Sequence, residues 1–399
     1  MSPITGNRNP DQGGSVEFAT WASLRPEHHA VWRELHLTHD GHQFVYTGPV
    51  FFETLVETEP ADNLRLAVRR APSIFAALRM RRKLLDPHGM AGLLLRWRIR
   101  MWTVLGSEPL FAPGAADSAC VASFLCDMAA VPGRYDALEL QSVEVGSVAW
   151  DAVTASRDLK EKFLVYMPNG VRLCHTTQLP DSHDAYLAQF PRKKRYNLAR
   201  QLRQIAEKLG GEAHVVPLDT AEAIPELTEA IRSLGQEGSA SLLQQKEYVA
   251  LARRGLFLNF IVRAGSHTVA VILGIPSGAT YYLHKIMYSH RLVQYSPGTS
   301  AMHLMNEWFI ADGRFKRLDF GFGDPERKFS STNTTVERAR ILLLRRTWPN
   351  HALVVAHRTV VSAERLARKG LRALRAPRPL VEAMRGRLKR LSAQAAAHT

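Results

Sequence analysis

The chain has 399 residues, 46% of them hydrophobic and 22% charged, enough apolar content for two or three domains with sizeable cores. No run approaches the roughly 20 apolar residues a membrane-spanning helix needs. The first 20 residues lack the basic start and apolar core of a secretory signal and read as a disordered lead-in. Cys120, Cys126 and Cys174 fit neither a disulfide framework nor a metal spacing, so no metal is expected and the cytoplasm is the expected compartment. The net charge is +15, and from Arg340 to Thr399 there are 14 Lys and Arg against only Glu364 and Glu382. That asymmetry suggests an anionic partner for the tail: membrane lipid, nucleic acid or a charged polymer.

In chain order, Trp21 to about Asp40 reads as an opening helix, Tyr46-Thr47-Gly48-Pro49 as a turn, and Val50 to Glu57 as an apolar helix. Asn63 to Val68 and Ile74 to Leu78 read as short strands. Two basic clusters follow, Arg79/Arg81/Arg82/Lys83 and Arg96/Arg98/Arg100, the second interleaved with Trp97 and Trp102. Such interleaving serves nucleic-acid stacking, but an alternating strand with one charged, solvated face explains it more simply. Val104 to Phe111 continues as strand and turn. Ala119 to Ala130 is an apolar helix, Ala137 to Val143 a strand, and Val148 to Ala155 a short helix.

Leu179 to Leu209 reads as a hinge. Asp181, Ser182 and His183 offer caps to a basic helix whose seam is Leu198, Leu202, Ile205 and Leu209. A strand over Glu212–Leu218, helices over Ala221–Leu234 and Leu242–Arg254, and a meander over Leu256–Arg263, Thr268–Ile275 and Thr280–Tyr288 follow. The stretch from Gln294 to Phe329, QYSPGTSAMHLMNEWFIADGRFKRLDFGFGDPERKF, organises the rest. Ser296 is a good N-cap and Pro297 fits the first helical position. The helix should stop at Asp312-Gly313, and Leu318 to Gly321 reads as a short buried strand. A strand end, a glycine turn and free amides at a helix start make an anion site. Ala339 to Trp348 closes as a strand. Ser362 to Arg375 and Val381 to Leu391 are basic amphipathic helices, suited to an anionic membrane, to packing on the body, or to a disordered tail.

The run SPG, helix, Gly, LDFG, GD and RK resembles the second half of GNAT-superfamily N-acyltransferases, in particular the CelD/BcsL-like branch tied to cellulose and exopolysaccharide synthesis, cousin to the Fem aminoacyltransferases. The resemblance implies a tandem α/β (α+β) architecture with mixed central sheets. The expected partition is a lead-in over 1–20, a degenerate GNAT-like domain over 21–178, an acyltransferase domain over 179–350 and a basic helical tail over 351–399. It implies that Gly298, Thr299, Ser300 and Ala301 hold the pyrophosphate of acetyl-CoA or another acyl-CoA through backbone amides. The first half follows the same element order but lacks a glycine turn before its helix, and Asp117 sits where a phosphate would want amides.

Acyl transfer from a thioester needs a polarised carbonyl, a deprotonated acceptor and a stabilised thiolate. By the resemblance, an amide within Leu283–Tyr288 meets the carbonyl. The candidate bases are His284, Asp319 and Asp324; Asp324 is preferred as the acceptor-facing carboxylate, with Asp319 partly structural. Arg195, Arg327 and Lys328 are candidate contacts for substrate phosphate. Two positions depart from the family pattern: Arg327 stands where the family has a tyrosine that protonates the leaving group, and Ser289 where it has an aspartate. The implied reaction is acylation of an amine or hydroxyl of a nucleotide-linked or lipid-linked sugar, in the cytoplasm or peripherally at the inner membrane face. Fem-like transfer from aminoacyl-tRNA, and a non-catalytic scaffold for a membrane synthase, are the alternatives.

Overall fold

The structure, a computed structural model, describes residues 15–38, 44–70, 72–85, 97–235, 245–321 and 333–373. Asp324, Arg327, Lys328 and the helix expected over Val381 to Leu391 lie outside the described residues. The chain opens with β1 (Glu17–Ala19), α1 (Pro26–Thr38), α2 (Phe44–Thr47) and α3 (Pro49–Thr58), then β2 (Leu64–Arg70), β3 (Ser73–Leu84), β4 (Arg98–Val104) and β5 (Leu110–Phe111). Next come α4 (Ser118–Asp127), β6 (Ala137–Glu144), α5 (Val148–Ala155), α6 (Arg157–Lys162), β7 (Phe163–Tyr166) and β8 (Val171–Gln178). The second half runs α7 (His183–Ala188), α8 (Arg192–Leu209), β9 (Ala213–Leu218), α9 (Ile224–Ser233), α10 (Gln245–Arg253), β10 (Asn259–Ala264), β11 (His267–Ser277) and β12 (Thr280–Tyr288). It closes with α11 (Pro297–Asp312), β13 (Arg317–Asp319), β14 (Thr334–Arg345) and α12 (Trp348–Ala373).

These elements form two compact units. One comprises residues 1–24, 62–171 and 339–399, and the other 25–61 and 172–338. The division differs from the expected one at both ends of the chain. Residues 17–19 are not disordered lead-in but a strand, with Phe18 opposite Ala67 of β2. The opening helices belong to the second unit because their charges and apolar faces find partners there: Arg254 of α10 donates to Glu57 of α3 at 2.6 Å. The helix expected from Ser362 starts earlier. Residues 348–373 form one continuous helix, and its first turns are anchored, with Leu353 and Val354 buried and His357 Nδ1 2.5 Å from the Tyr166 hydroxyl.

In the first unit the strand order is β1-β2-β3-β4-β6 and then residues 339–345 of β14, with β5 beside β3 and β7 beside β14. The β4–β6 pair is parallel and the others whose registers are given are antiparallel, so this is a mixed sheet. α4 and α5 cover one face through Phe124, Leu125, Ala149 and Val153. Asp117 caps α4 by accepting the Cys120 amide at 2.8 Å, which uses the helix start internally. The basic strand is only partly a solvated face: Arg98 and Arg100 alternate outward, whereas Trp102 is core and Lys83 reaches Glu139 at 3.0 Å.

Glu139 is 1% exposed and also accepts from Arg340 at 2.7 Å and from the Thr103 hydroxyl at 2.6 Å. Burial raises its pKa, but Lys83, Arg340 and Thr103 together outweigh burial and hold it at about 2. At Lys83 the balance reverses, because burial outweighs the attraction of Glu139 and lowers the lysine pKa too. The geometry sides with Glu139, which has two cations while Lys83 shares one anion. A depressed carboxylate stabilises fully above its unfolded pKa and loses that contribution as pH falls from about 4.5 to about 2. We expect Glu139→Gln to remove an acid-limb slope worth on the order of 3 kcal/mol, read by urea unfolding at stepped pH. An unchanged slope would refute this role for Glu139.

In the second unit the order is β8-β13-β12-β11-β10-β9, with residues 334–338 of β14 beside β8. The predicted meander β10-β11-β12 is antiparallel, while β12 and β13 run parallel. α8 and α11 close one face around Phe260, Tyr281, Met305 and Phe309; α9 and α10 cover the other around Ile261 and Val271. This mixed α/β architecture in tandem is the one the resemblance implied.

Candidate functional site

The second unit opens where β12 and β13 part. They pair over Thr280–Tyr282 and Arg317–Asp319 only, yet β12 runs on to Tyr288 beside β11. Among the described residues nothing pairs with β12 on the β13 side beyond Tyr282, so backbone polar groups are left available there. A register shift falls in the same place: Leu273 faces Lys285 and Gly274 faces Leu283, leaving His284 as the extra residue of a β-bulge. Bulges re-aim side chains and release backbone groups from the ladder.

The sequence specifies this bulge. A Cβ at Gly274 would come within 2.5 Å of the Tyr281 hydroxyl and of the Tyr282 carbonyl, so only glycine fits. The Gly274 amide donates to Asn259 Oδ1 at 3.1 Å, and the buried Tyr281 hydroxyl donates to the Leu258 carbonyl at 3.0 Å. A glycine inside a strand is the recognisable sign of such a site.

His284 meets Tyr46 of α2, 238 residues earlier, with Nε2 2.5 Å from the phenol oxygen. The ring has accessible surface, yet protein mass packed round it pulls its pKa down to about 4. Burial, then the fields of Tyr282 and Asp319, raise the Tyr46 pKa, so the phenol keeps its proton. With Tyr46 donating, Nε2 accepts and the ring proton sits on Nδ1.

Asp319, expected among the bases, is fully buried. Arg338 grips its two oxygens at 3.1 and 3.3 Å, and the Gly321 amide donates to Oδ1 at 2.7 Å. A carboxylate so engaged is held in a fixed position by its partners. Gly321 sits at positive φ, a conformation glycine adopts without a Cβ penalty.

The start of α11 also differs from expectation. A short 3-10 helix, His290–Tyr295, precedes it, and Ser296 ends that helix in the left-handed region at φ 52°, making no side-chain cap bond. The Thr299 and Ser300 amides donate to the Ser296 carbonyl at 3.0 and 3.1 Å, and Ala301 is fully buried. The four-amide cradle is thus reduced, because the first helical turn uses two of its members. Gly298's amide has no acceptor among the described residues, the Ser300 hydroxyl is buried without one, and the Thr299 side chain is exposed. The ring of Tyr288, from the end of β12, lies over Gly298. Arg195 is exposed on α8, with no ion pair among the described residues. Sequence reasoning missed Tyr46 and Arg338, which reach the site only through tertiary folding.

Residues 192–328 match a family described as an acetyltransferase (GNAT) domain. The chain carries a GNAT-type domain, and acyl transfer is its class of chemistry. No curated protein matches the sequence. Among solved structures, FemX is similar at a TM-score of 0.53 and 13% identity, covering 85% of this chain and 99% of its own. A tandem GNAT protein from the clavulanic acid biosynthesis pathway aligns at 0.49 and 10% identity, over 83% and 98% of the two chains. L-PGS from Bacillus licheniformis aligns at 0.46 and 11%, over 83% and 96%.

Proposed function

We propose that the chain transfers an acyl group from acetyl-CoA or a longer acyl-CoA to an amine or hydroxyl of a sugar precursor of a cell-surface polysaccharide. The observation that carries this reading is the parting of β12 from β13 at the His284 bulge. A thioester carbonyl lying in that gap finds an unpaired β12 amide. As attack makes the acceptor's N–H acidic, its proton passes to the Tyr46 oxygen while Tyr46 gives its own to Nε2 of His284, neutral at pH 7, and the resulting imidazolium returns a proton through Tyr46 to the departing thiolate. Tyr46 thus provides the phenol that Arg327 does not, as the link between His284 and the reacting groups. Gly298 offers an amide and Thr299 a hydroxyl to the pyrophosphate, with Ser300 and Ala301 completing the turn that holds them. Asp324 on the acceptor side, and Arg195, Arg327 and Lys328 toward substrate phosphate, belong to the same proposal.

A second reading, Fem-like transfer from aminoacyl-tRNA, is favoured by the fold shared with FemX and the exposed basic face of α8. Calorimetric titration separates the two. The first expects acetyl-CoA to bind and Gly298→Glu to weaken it at least about tenfold, since like-charge juxtaposition costs several kcal/mol. Salt-sensitive affinity for tRNA with none for CoA would replace it with the second.

Peripheral membrane contact at the inner face is part of the proposal. Trp348, Val355 and Leu366 are exposed and fall within about 20° of one line on α12 at roughly 100° per residue. Among the described residues no helix is long and apolar enough to cross a membrane.

A further inference from the structure

We propose that His183, His303 and Glu307 form a divalent-metal site of the zinc class, separate from the β12–β13 gap. His303 and Glu307 are one helical turn apart on α11 and so share a face; His183 opens α7. One donor atom from each lies within 4.8 Å of the others. The pair His183 Nδ1 and Glu307 Oε1 is 3.6 Å apart, close to the roughly 3.4 Å edge that metal–ligand bonds of about 2.0–2.1 Å define around a tetrahedral centre.

The hydrogen-bond inventory leaves the donor atoms of the cluster uncommitted. At 3.6 Å His183 Nδ1 makes no hydrogen bond to Glu307, and its Nε2 is buried with no partner among the described residues. Tyr186 accepts from Asn306 Nδ2 at 3.1 Å and lies 3.4 Å from His303 Nδ1. That contact orients the His303 ring and leaves Nε2 for a ligand, as outer partners of metal-binding histidines do. Two imidazoles and one carboxylate are a borderline donor set that suits zinc, with the fourth position open to water. Closing the last ångström falls to His183 and Glu307, whose side chains are partly exposed and have room to move. The charge of Lys194 reaches His303, and it would have to stay over the Phe190 ring, where its Nζ lies 3.9 Å from the centroid.

The site would tie α7 to α11, the helix whose first turn carries Gly298. The test uses full-length protein stripped with chelator and titrated with Co(II) and Zn(II). We expect one equivalent to bind, Co(II) giving the visible absorption of a low-coordinate site. Glu307→Gln and His183→Gln, at partly exposed positions that leave the core intact, should each weaken binding more than about tenfold, with circular dichroism unchanged. Absence of one-equivalent binding, or binding that neither variant weakens, would overturn the proposal.

Discussion

Arg338→Met is expected to cost about 3–5 kcal/mol of folding stability, because it strands the Asp319 carboxylate inside the protein. Arg338 is 2% exposed and Asp319 not at all, so water does not replace the lost guanidinium. The Gly321 amide remains, but a neutral donor does not compensate a buried charge. Replacing both partners, Asp319→Leu with Arg338→Met, should recover most of the loss, since an apolar pair of similar volume is often no worse than a buried ion pair. Urea unfolding at pH 7 measures both. A loss below about 1 kcal/mol for Arg338→Met would mean the carboxylate is already satisfied by other groups.

The second large effect concerns turnover. His284→Ala is expected to lower kcat by about 10²–10⁴, the usual share of a positioned proton-transfer group, with little change in affinity for acyl-CoA. Tyr46→Phe removes the phenol but keeps the ring packing on Phe51 and Tyr282, so it should lower kcat without unfolding the unit. Release of CoA thiol in the presence of an amino-sugar acceptor reads both. The pH profile is the sharper check. A base held near 4 stays active down to that pH, whereas a solvated histidine would fail near 6.5. The sign for stability runs the same way: protonation favours the unfolded chain, so His284 weakens folding as pH falls from about 6.5 toward 4. A wild-type profile breaking near 6.5, or full turnover in both variants, would remove the pair from the chemistry.

The strands of the meander were legible because β-branched and aromatic residues alternate between glycine turns, and Thr280–Tyr288 matches the reading at both ends. α5 was equally plain, since Ser147 caps a short apolar run. The site was less so. His284 could be named as a candidate from residue type, but what makes it a candidate in space is Gly274 across the sheet and Tyr46 from the far end of the chain. No local pattern encodes a partner 238 residues away. Ser296 misled for a related reason: serine before proline is a sound N-cap signal, yet the preceding 3-10 helix forces it left-handed. The anchored half of α12 was hidden because His351–Val361 mixes polar and apolar residues, and its buried stripe emerges only against Tyr166 and its neighbours.

The chain order of the two units has a consequence for synthesis. α1–α3 leave the ribosome first, yet the strands and helices of their own unit begin only at Arg172, about 110 residues after Ala61. At roughly 5–20 residues per second that delay lasts on the order of 5–20 s, during which Trp32, Phe52 and Leu55 have no finished core to enter. The first unit waits in turn for residues 339–345. Neither unit can therefore be completed until the chain has emerged as far as β14, and a fragment beginning at residue 179 would emerge without Tyr46.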